Sequence, residues 1–296
     1  MRVRAWIAQS FRSSVCPWVV ALGLFVSASG ASAEADRIVS INPSLTSILV
    51  ALGAAERLVG VDDYSARQIE AVKDLPRVGG LFNPSLEAVV ALRPDLVVLV
   101  PSAEQRSLQS RLRGLGIRVE SFQNIRFDEV LENIARIGSL TDTEAAAKER
   151  IEAIERASRQ ARALTRDQRP RSVLVVLQRD PIYVVGRGGF LEEILEGLGL
   201  SNAAATFDEP YPRVGREWVV ENAPEVLIDL SPELDDPVAF WSRWSSIPAV
   251  KEGRVIDLDA SVVSMPGPYL DRATQLLLEA VYGPELAARL ERESRP

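Results

Sequence analysis

Two glutamates stand in matching places along the chain. Glu87 lies within residues 85–98, SLEAVVALRPDLVV, and Glu217 within residues 215–228, GREWVVENAPEVLI. Laid over one another without a gap, the segments put Glu87 on Glu217, Val89-Val90 on Val219-Val220, Pro94 on Pro224 and Asp95 on Glu225. A glutamate two positions into each segment falls in the first turn of a helix, where a carboxylate meets the positive end of the helix dipole. Acid–base chemistry by a carboxylate pair, as in glycoside hydrolysis, is the catalytic alternative. The chain has 41 acidic residues, yet no two of them stand in a recognisable catalytic context. It has no histidine and a single cysteine, Cys16. Ser-His-Asp and Cys-His constellations are thereby excluded, as are histidine-rich metal sites.

Each repeated segment reads as one structural unit. A short amphipathic helix ends at the proline, whose ring disfavours helical geometry in the residue before it. The apolar run that follows, residues 96–100 or 226–228, has the unbroken β-branched character of a strand buried on both faces. Two such units predict a duplicated α/β architecture.

With 296 residues the chain is long enough for two cored domains. Its first 33 residues have the pattern of an export leader: Arg2, Arg4 and Arg12, an apolar run over 15–26, then Ala31-Ser32-Ala33 as a cleavage site. The run is shorter than the roughly 20 apolar residues a membrane span needs. Cys16 sits inside it rather than at a cleavage point, which argues against a lipid anchor and leaves a cysteine-free mature chain. Removal of three arginines with the leader would take the net charge from −7 to −10. So acidic a protein is a poor partner for nucleic acid.

Along the rest of the chain, residues 37–41 read as a strand. Asn42-Pro43-Ser44 is a turn whose serine caps a helix ending at Gly53. Residues 58–61 are a second strand, leading into a polar loop, Asp62 to Ser65. Gly79-Gly80 lies in an irregular connection before the first repeat, a helix over 103–114 follows it, and residues 117–122 form a strand. Helical spacing holds from Phe127 to Ile137, and Thr141 with Glu144 fits a capping box. A helix over residues 144–166, about 35 Å long at 1.5 Å per residue, connects the halves as a stiff rod. The second half opens on a buried strand, residues 172–177. Its Gly186-Arg187-Gly188-Gly189 lacks the third glycine and the acidic residue of a dinucleotide fingerprint. Trp241, Trp244 and Ile247 fall in a helix ending near Pro248, as packing residues. Residues 254–258 form a last strand, a proline-stiffened loop spans 264–269, and helices close the chain. The fold class is α/β: two parallel-sheet lobes joined by one long rigid helix. The boundaries are 1–33 for the leader, 34–126 for the first lobe, 127–169 for the linking helix and 170–296 for the second lobe.

This order resembles the periplasmic substrate-binding proteins of ABC importers, in the class whose lobes are joined by one helix, and within it the vitamin B12, ferric-siderophore and haem binding family. The likeness runs through the whole mature chain. Among its members the cobalamin binders are most similar, on VGVDDYS (residues 59–65), LPRVGG (75–80) and Tyr211-Pro212. Leu81-Phe82 stands where cobalamin binders can carry a tryptophan, a departure that thins the aromatic wall. The resemblance implies no catalytic residues and no metal site. It implies that Glu87 and Glu217 dock onto arginines of the two permease subunits. It also implies a ligand cleft formed by Asn42, Ser44, Tyr64, Gly80, Leu81, Phe82, Gln178, Arg179, Tyr211, Met265 and Tyr269. The implied ligand is cobalamin. The alternatives are a ferric siderophore or haem, whose carboxylates Arg179, Arg187 and Arg213 would meet; haem iron would also need a tyrosinate or methionine as axial ligand. The implied protein is a periplasmic monomer that carries a ligand but no cofactor of its own and changes shape little on loading.

Overall fold

The computed structural model describes residues 35–232 and 236–294, with no account of the side chains of Ala103 and Glu104. The leader expected over residues 1–33 lies outside the described residues.

Four strands open the chain: β1 (Ile38–Ile41), β2 (Leu58–Val61), β3 (Leu96–Leu99) and β4 (Arg118–Ser121). They form one wholly parallel sheet in the order β2-β1-β3-β4. The second sheet takes β5 (Ser172–Arg179), β6 (Ile182–Val184), β7 (Ser201–Asn202), β8 (Arg213–Val214), β9 (Val226–Asp229) and β10 (Val255–Asp257). Its order is β10-β9-β5-β6-β8. The β10-β9-β5 portion is parallel, as expected, and β7 joins the start of β5 in the same sense. Beyond β5 the sheet turns antiparallel through β6 and β8, because a tight turn after Arg179 sends the chain straight back.

Period-two alternation divides the core into layers. In the first lobe Ile38, Leu96 and Val98 face one apolar cluster while Val39, Ile41, Val97 and Leu99 face another. In the second lobe Val173, Val175, Val226 and Ile228 belong to that same first cluster, and Leu174, Val176 and Leu227 to a third. The shared cluster continues between the lobes through Val130, Ile134, Ile137, Ala147, Ile154 and Ala161. One seam of packed side chains therefore joins both sheets.

The segment between the lobes holds two helices, Phe127–Leu140 and Glu144–Thr165. The second is the expected rod. At 22 residues it spans about 33 Å, and it packs against the first, against Leu270–Tyr282 and Pro284–Ser294, and against Phe190–Gly197. The capping box expected at Thr141 is not formed. Thr141 closes the first helix, its hydroxyl donating to the Ile137 carbonyl at 2.8 Å, and Thr143 takes the cap position of the second.

The duplicated units match down to their backbone. Helices Leu86–Ala91 and Arg216–Asn222 each lead to a residue in the left-handed region, Arg93 at φ 48° and Ala223 at φ 46°, followed by the proline. The residue before each proline thus leaves helical geometry by a positive φ rather than by extension. Asp95 accepts from the backbone N–H groups of Asp36 and Arg37, each at 3.0 Å, and Glu225 accepts from that of Ser172 at 3.0 Å. In both lobes the carboxylate one residue past the proline anchors the start of the lobe's first strand.

Several local expectations are corrected. Asn42, not Ser44, caps helix Pro43–Ala51, because Pro43 takes the first helical position and the Asn42 side chain accepts from the Ser44 N–H at 2.9 Å. Asp62 to Ser65 is no loop: Asp62 caps helix Asp63–Gln68. Pro248 begins helix Pro248–Lys251 instead of ending one, and the preceding helix is Pro237–Trp241. Trp241 is fully buried in the second lobe's outer core.

The two linking helices cross closely at Gly138, where an added Cβ would stand 2.6 Å from the Ala147 Cβ. Gly138→Leu is expected to destabilise the protein by about 1–3 kcal/mol through overpacking, read as a lower urea midpoint with an unchanged slope.

Candidate functional site

Carboxyl ends of parallel strands from both lobes converge on one cleft, the usual place for ligand in open α/β sheets. Asn42 and Ser44 follow β1, Gln68 follows β2 and Asn124 follows β4. Leu177 lies near the end of β5, Leu230 and Pro232 follow β9, and residues 260–266 follow β10. The cleft holds a chamber of about 400 Å³. Beside it a second, more enclosed chamber of about 270 Å³ lies between helix Pro43–Ala51 and the 261–269 segment.

The first-lobe wall is held by hydrogen bonds. Asn42 Oδ1 accepts from the Ser44 hydroxyl at 2.7 Å, and the Asn124 amide donates to Ser44 Oγ at 3.0 Å across 80 residues of sequence. Behind the wall, Ser40, Thr46, Asp62 and Ser65 are wholly buried. Thr46 Oγ1 lies 2.8 Å from Ser40 Oγ and 2.9 Å from Ser65 Oγ, and the Ser65 hydroxyl donates to Asp62. Asp62 also accepts from the Tyr64 and Ser65 N–H groups at 2.9 and 3.0 Å. This network fixes the helix that begins beyond Asn42 against the one that ends at Gln68. Burial pushes the Asp62 carboxyl above its ordinary range, and its hydrogen bonds only partly oppose that.

Of the residues expected at the cleft, Asn42, Ser44 and Met265 line the larger chamber, and Met265 and Tyr269 line the smaller. The others lie outside both linings. Tyr64 is exposed, with the Arg67 guanidinium 4.8 Å from its ring centre. Gly80 and Leu81 lie in a loop pinned by the Gln105 amide, which donates to the Leu81 carbonyl at 2.9 Å, and Phe82 projects from it 69% exposed. Gln178 turns its amide to the Asp180 carbonyl at 2.7 Å. Tyr211 rides on a segment strapped to Gly186, whose N–H donates to the Pro210 carbonyl at 2.9 Å. Its phenol is pushed up by burial.

Arg179 is corrected from ligand contact to internal tie. It is 2% exposed, its Nε donates to Ser231 Oγ at 2.6 Å, and the Asp229 carboxylate lies 3.6 Å away. Asp229 in turn accepts from Trp241 Nε1 at 2.7 Å. Arg187 pairs with Asp208 at 2.9 Å. Arg213 lines a separate cavity beside Glu217. The sequence reading missed Gln68, Asn124, Leu177, Leu230 and Ser261. All but Gln68, which ends helix Asp63–Gln68, sit within four residues of a strand end, and that proximity is the signal that could have found them.

Glu87 and Glu217 are both exposed, each in the first turn of its repeated helix. Arg111 reaches Glu87 at 4.0 Å, a surface pair of small energetic weight. Among the described residues no group of three or more His, Cys, Asp or Glu is placed to hold a metal ion.

Two α/β lobes on one linking helix with a polar cleft between them define a two-lobed binding protein of the single-helix class. Comparison with known proteins agrees. The periplasmic binding protein family model matches residues 38–262. A Bacillus subtilis protein described as an ABC transporter substrate-binding lipoprotein, YvrC, is 30% identical over 257 residues, 84% of this chain and 81% of its own. The vitamin B12-binding protein of Vibrio cholerae is 26% identical over 235 residues, 79% of this chain and 84% of its own. The apo structure of the periplasmic heme-binding protein RhuT from Roseiflexus sp. RS-1 superposes with a TM-score of 0.73 at 26% identity, covering 85% of this chain and 99% of its own. The chain belongs to the periplasmic binding protein family.

Asp62 makes a pH test of the wall. Its raised folded-state value means that the protonated form favours the fold. That contribution is present below the ordinary aspartate range and is lost as pH rises through the raised value. Asp62→Asn, neutral throughout, lacks it. The stability of the wild type relative to Asp62→Asn is therefore expected to fall from pH 3 to pH 7 in urea titrations; a difference that rises over that window refutes the assignment.

Proposed function

We propose that this protein is the periplasmic substrate-binding component of an ABC importer and that it captures a corrinoid. The observation that carries the ligand assignment is the chemistry of the cleft. Amides (Asn42, Gln68, Asn124) and hydroxyls (Ser44, Ser261, Ser264) alternate with apolar groups around the larger chamber. Among the described residues lining the two chambers, Glu70 is the one charged side chain. A corrinoid presents neutral primary amides around its rim, which such a surface pairs with directly. Haem propionates or an anionic iron chelate would bring carboxylates into a cleft whose described lining offers no arginine or lysine, and unpaired buried charge is costly.

The cobalamin binder among the relatives supports the same reading, and the heme-binding neighbour defines its competitor. Haem iron would need an axial ligand from Met265 or a tyrosinate. The protein supplies no catalytic group and no cofactor of its own; the ligand is its cargo.

Glu87 and Glu217 are the proposed docking points on the permease. Their matched helices and exposure support this, since equivalent carboxylates on a pseudo-symmetric binder suit a pair of permease subunits. Residues 1–33 are read as a cleaved leader, leaving a soluble monomer in the periplasm without a lipid anchor, in contrast to the lipoprotein named in Bacillus subtilis.

Calorimetric titration of the leaderless protein with cyanocobalamin, haemin and ferric hydroxamate and catecholate siderophores tests the ligand. One-to-one binding of cyanocobalamin, with haemin and the catecholate weaker, is the expected result; preference for haemin or an iron chelate overturns it. Charge reversal at both docking positions, Glu87→Arg with Glu217→Arg, is expected to leave that affinity unchanged while abolishing ligand uptake by cells that depend on this protein.

A further inference from the structure

The cavity beside Glu217 carries cations that its own lobe leaves unpaired. It encloses about 200 Å³ between the turn after β5 and residues 213–217, several times the roughly 30 Å³ that one water occupies in the liquid. Arg213, Arg216 and Glu217 all line it, and all three are exposed. Among the described residues no carboxylate lies within ion-pair distance of Arg213 or Arg216, neither Glu217 nor Asp180, the other acid in the lining. Elsewhere on this lobe Arg187, Arg254 and Arg289 each hold a carboxylate. Aromatic rings flank the unpaired cations. The Arg216 guanidinium lies 6.0 Å from the centre of the Trp244 ring, and that of Arg243 lies 4.9 Å from Trp244 and 4.5 Å from Phe240. Such contacts orient a guanidinium without neutralising it. Arginine and large aromatics are also the residue types enriched where proteins meet.

The repeat shows what is peculiar to this lobe. Carried two residues upstream, the alignment of the two units puts Asn83 on Arg213 and Leu86 on Arg216. Both cations are therefore additions to the second lobe. A permease arginine approaching Glu217 meets them, and like charges brought together cost affinity unless the partner also supplies a carboxylate.

We infer that the second lobe docks by charge exchange: Glu217 takes an arginine of the permease, while an acidic side chain of the permease enters the cavity between Arg213 and Arg216. This inference rests on the reading of Glu217 as a docking point and names the partner chemistry that the second lobe adds to it.

The permease–ATPase complex that this protein serves, reconstituted in phosphatidylcholine nanodiscs, provides the test, with association of the leaderless, ligand-free protein read by biolayer interferometry. The sign of the effect decides. If the lobe met arginines alone, Arg213→Gln with Arg216→Gln would remove a repulsion and tighten docking. Charge exchange predicts the opposite, a loss of at least about tenfold. The same change of net charge on the linking helix, Arg159→Gln with Arg162→Gln, is expected to leave docking unchanged. Urea melts identify a variant that fails to fold, and the single substitutions then carry the comparison. Unchanged or tighter docking by the folded cavity variant, or an equal loss in the linking-helix variant, overturns the exchange. So does a loss confined to nanodiscs that contain phosphatidylglycerol, which assigns the arginines to lipid headgroups. In each of these cases the docking glutamates stand if Glu87→Arg with Glu217→Arg still abolishes association. Wild-type association by that glutamate variant overturns both readings.

Discussion

The structure depends on one seam of apolar packing. From Ile38 and Val98 in the first sheet, through Ile134, Ile137, Ala147 and Ile154 in the linking helices, to Val175 and Ile228 in the second sheet, buried side chains form a single cluster. Large rotation of one lobe against the other would open that cluster to water, at roughly 25 cal/mol for each Å² of apolar surface exposed. The packing beneath the cleft therefore opposes such a rotation.

The duplicated units set the lobes' internal geometry in the same way twice. Each uses a left-handed residue to leave its helix, a proline to prevent the helix from continuing, and a carboxylate to fasten the first strand of its lobe. Glu87 and Glu217 inherit equivalent positions from this repeat. Their surroundings are not equivalent. Glu87 faces Arg111, whereas Glu217 borders a cavity that also includes Arg213 and Arg216. The two lobes share a backbone plan and differ in surface charge.

Much of the architecture was legible because its signals are local. The apolar runs at β3 and β9 are buried on both faces in the pattern their residues required, and the rod from Glu144 follows the helical spacing of Ile151, Ile154, Ala157 and Ala161. Errors clustered at element ends, where several residues compete for one role. Asn42 and Ser44 both have capping side chains, and Pro43 between them decided for Asn42 by occupying the first helical position. Pro248 could end one helix or begin another, and the local sequence permits both.

The candidate site was legible in part. Asn42, Ser44, Met265 and Tyr269 line the chambers, while Arg179 turned inward because Asp229, 50 residues later, offered it a buried partner. Asn124 reached Ser44 across 80 residues of chain.

By itself the sequence determined the two α/β lobes, the stiff connection, the repeated glutamates and the exclusion of histidine chemistry. Those follow from composition and from periodicities that span a few residues. Tertiary structure alone decided which polar groups face the cleft, that its described lining carries amides and hydroxyls rather than cations, and that a second chamber opens behind Met265. Such properties depend on which strand ends meet across the cleft, and residues far apart in the chain become neighbours only when the seam beneath them packs.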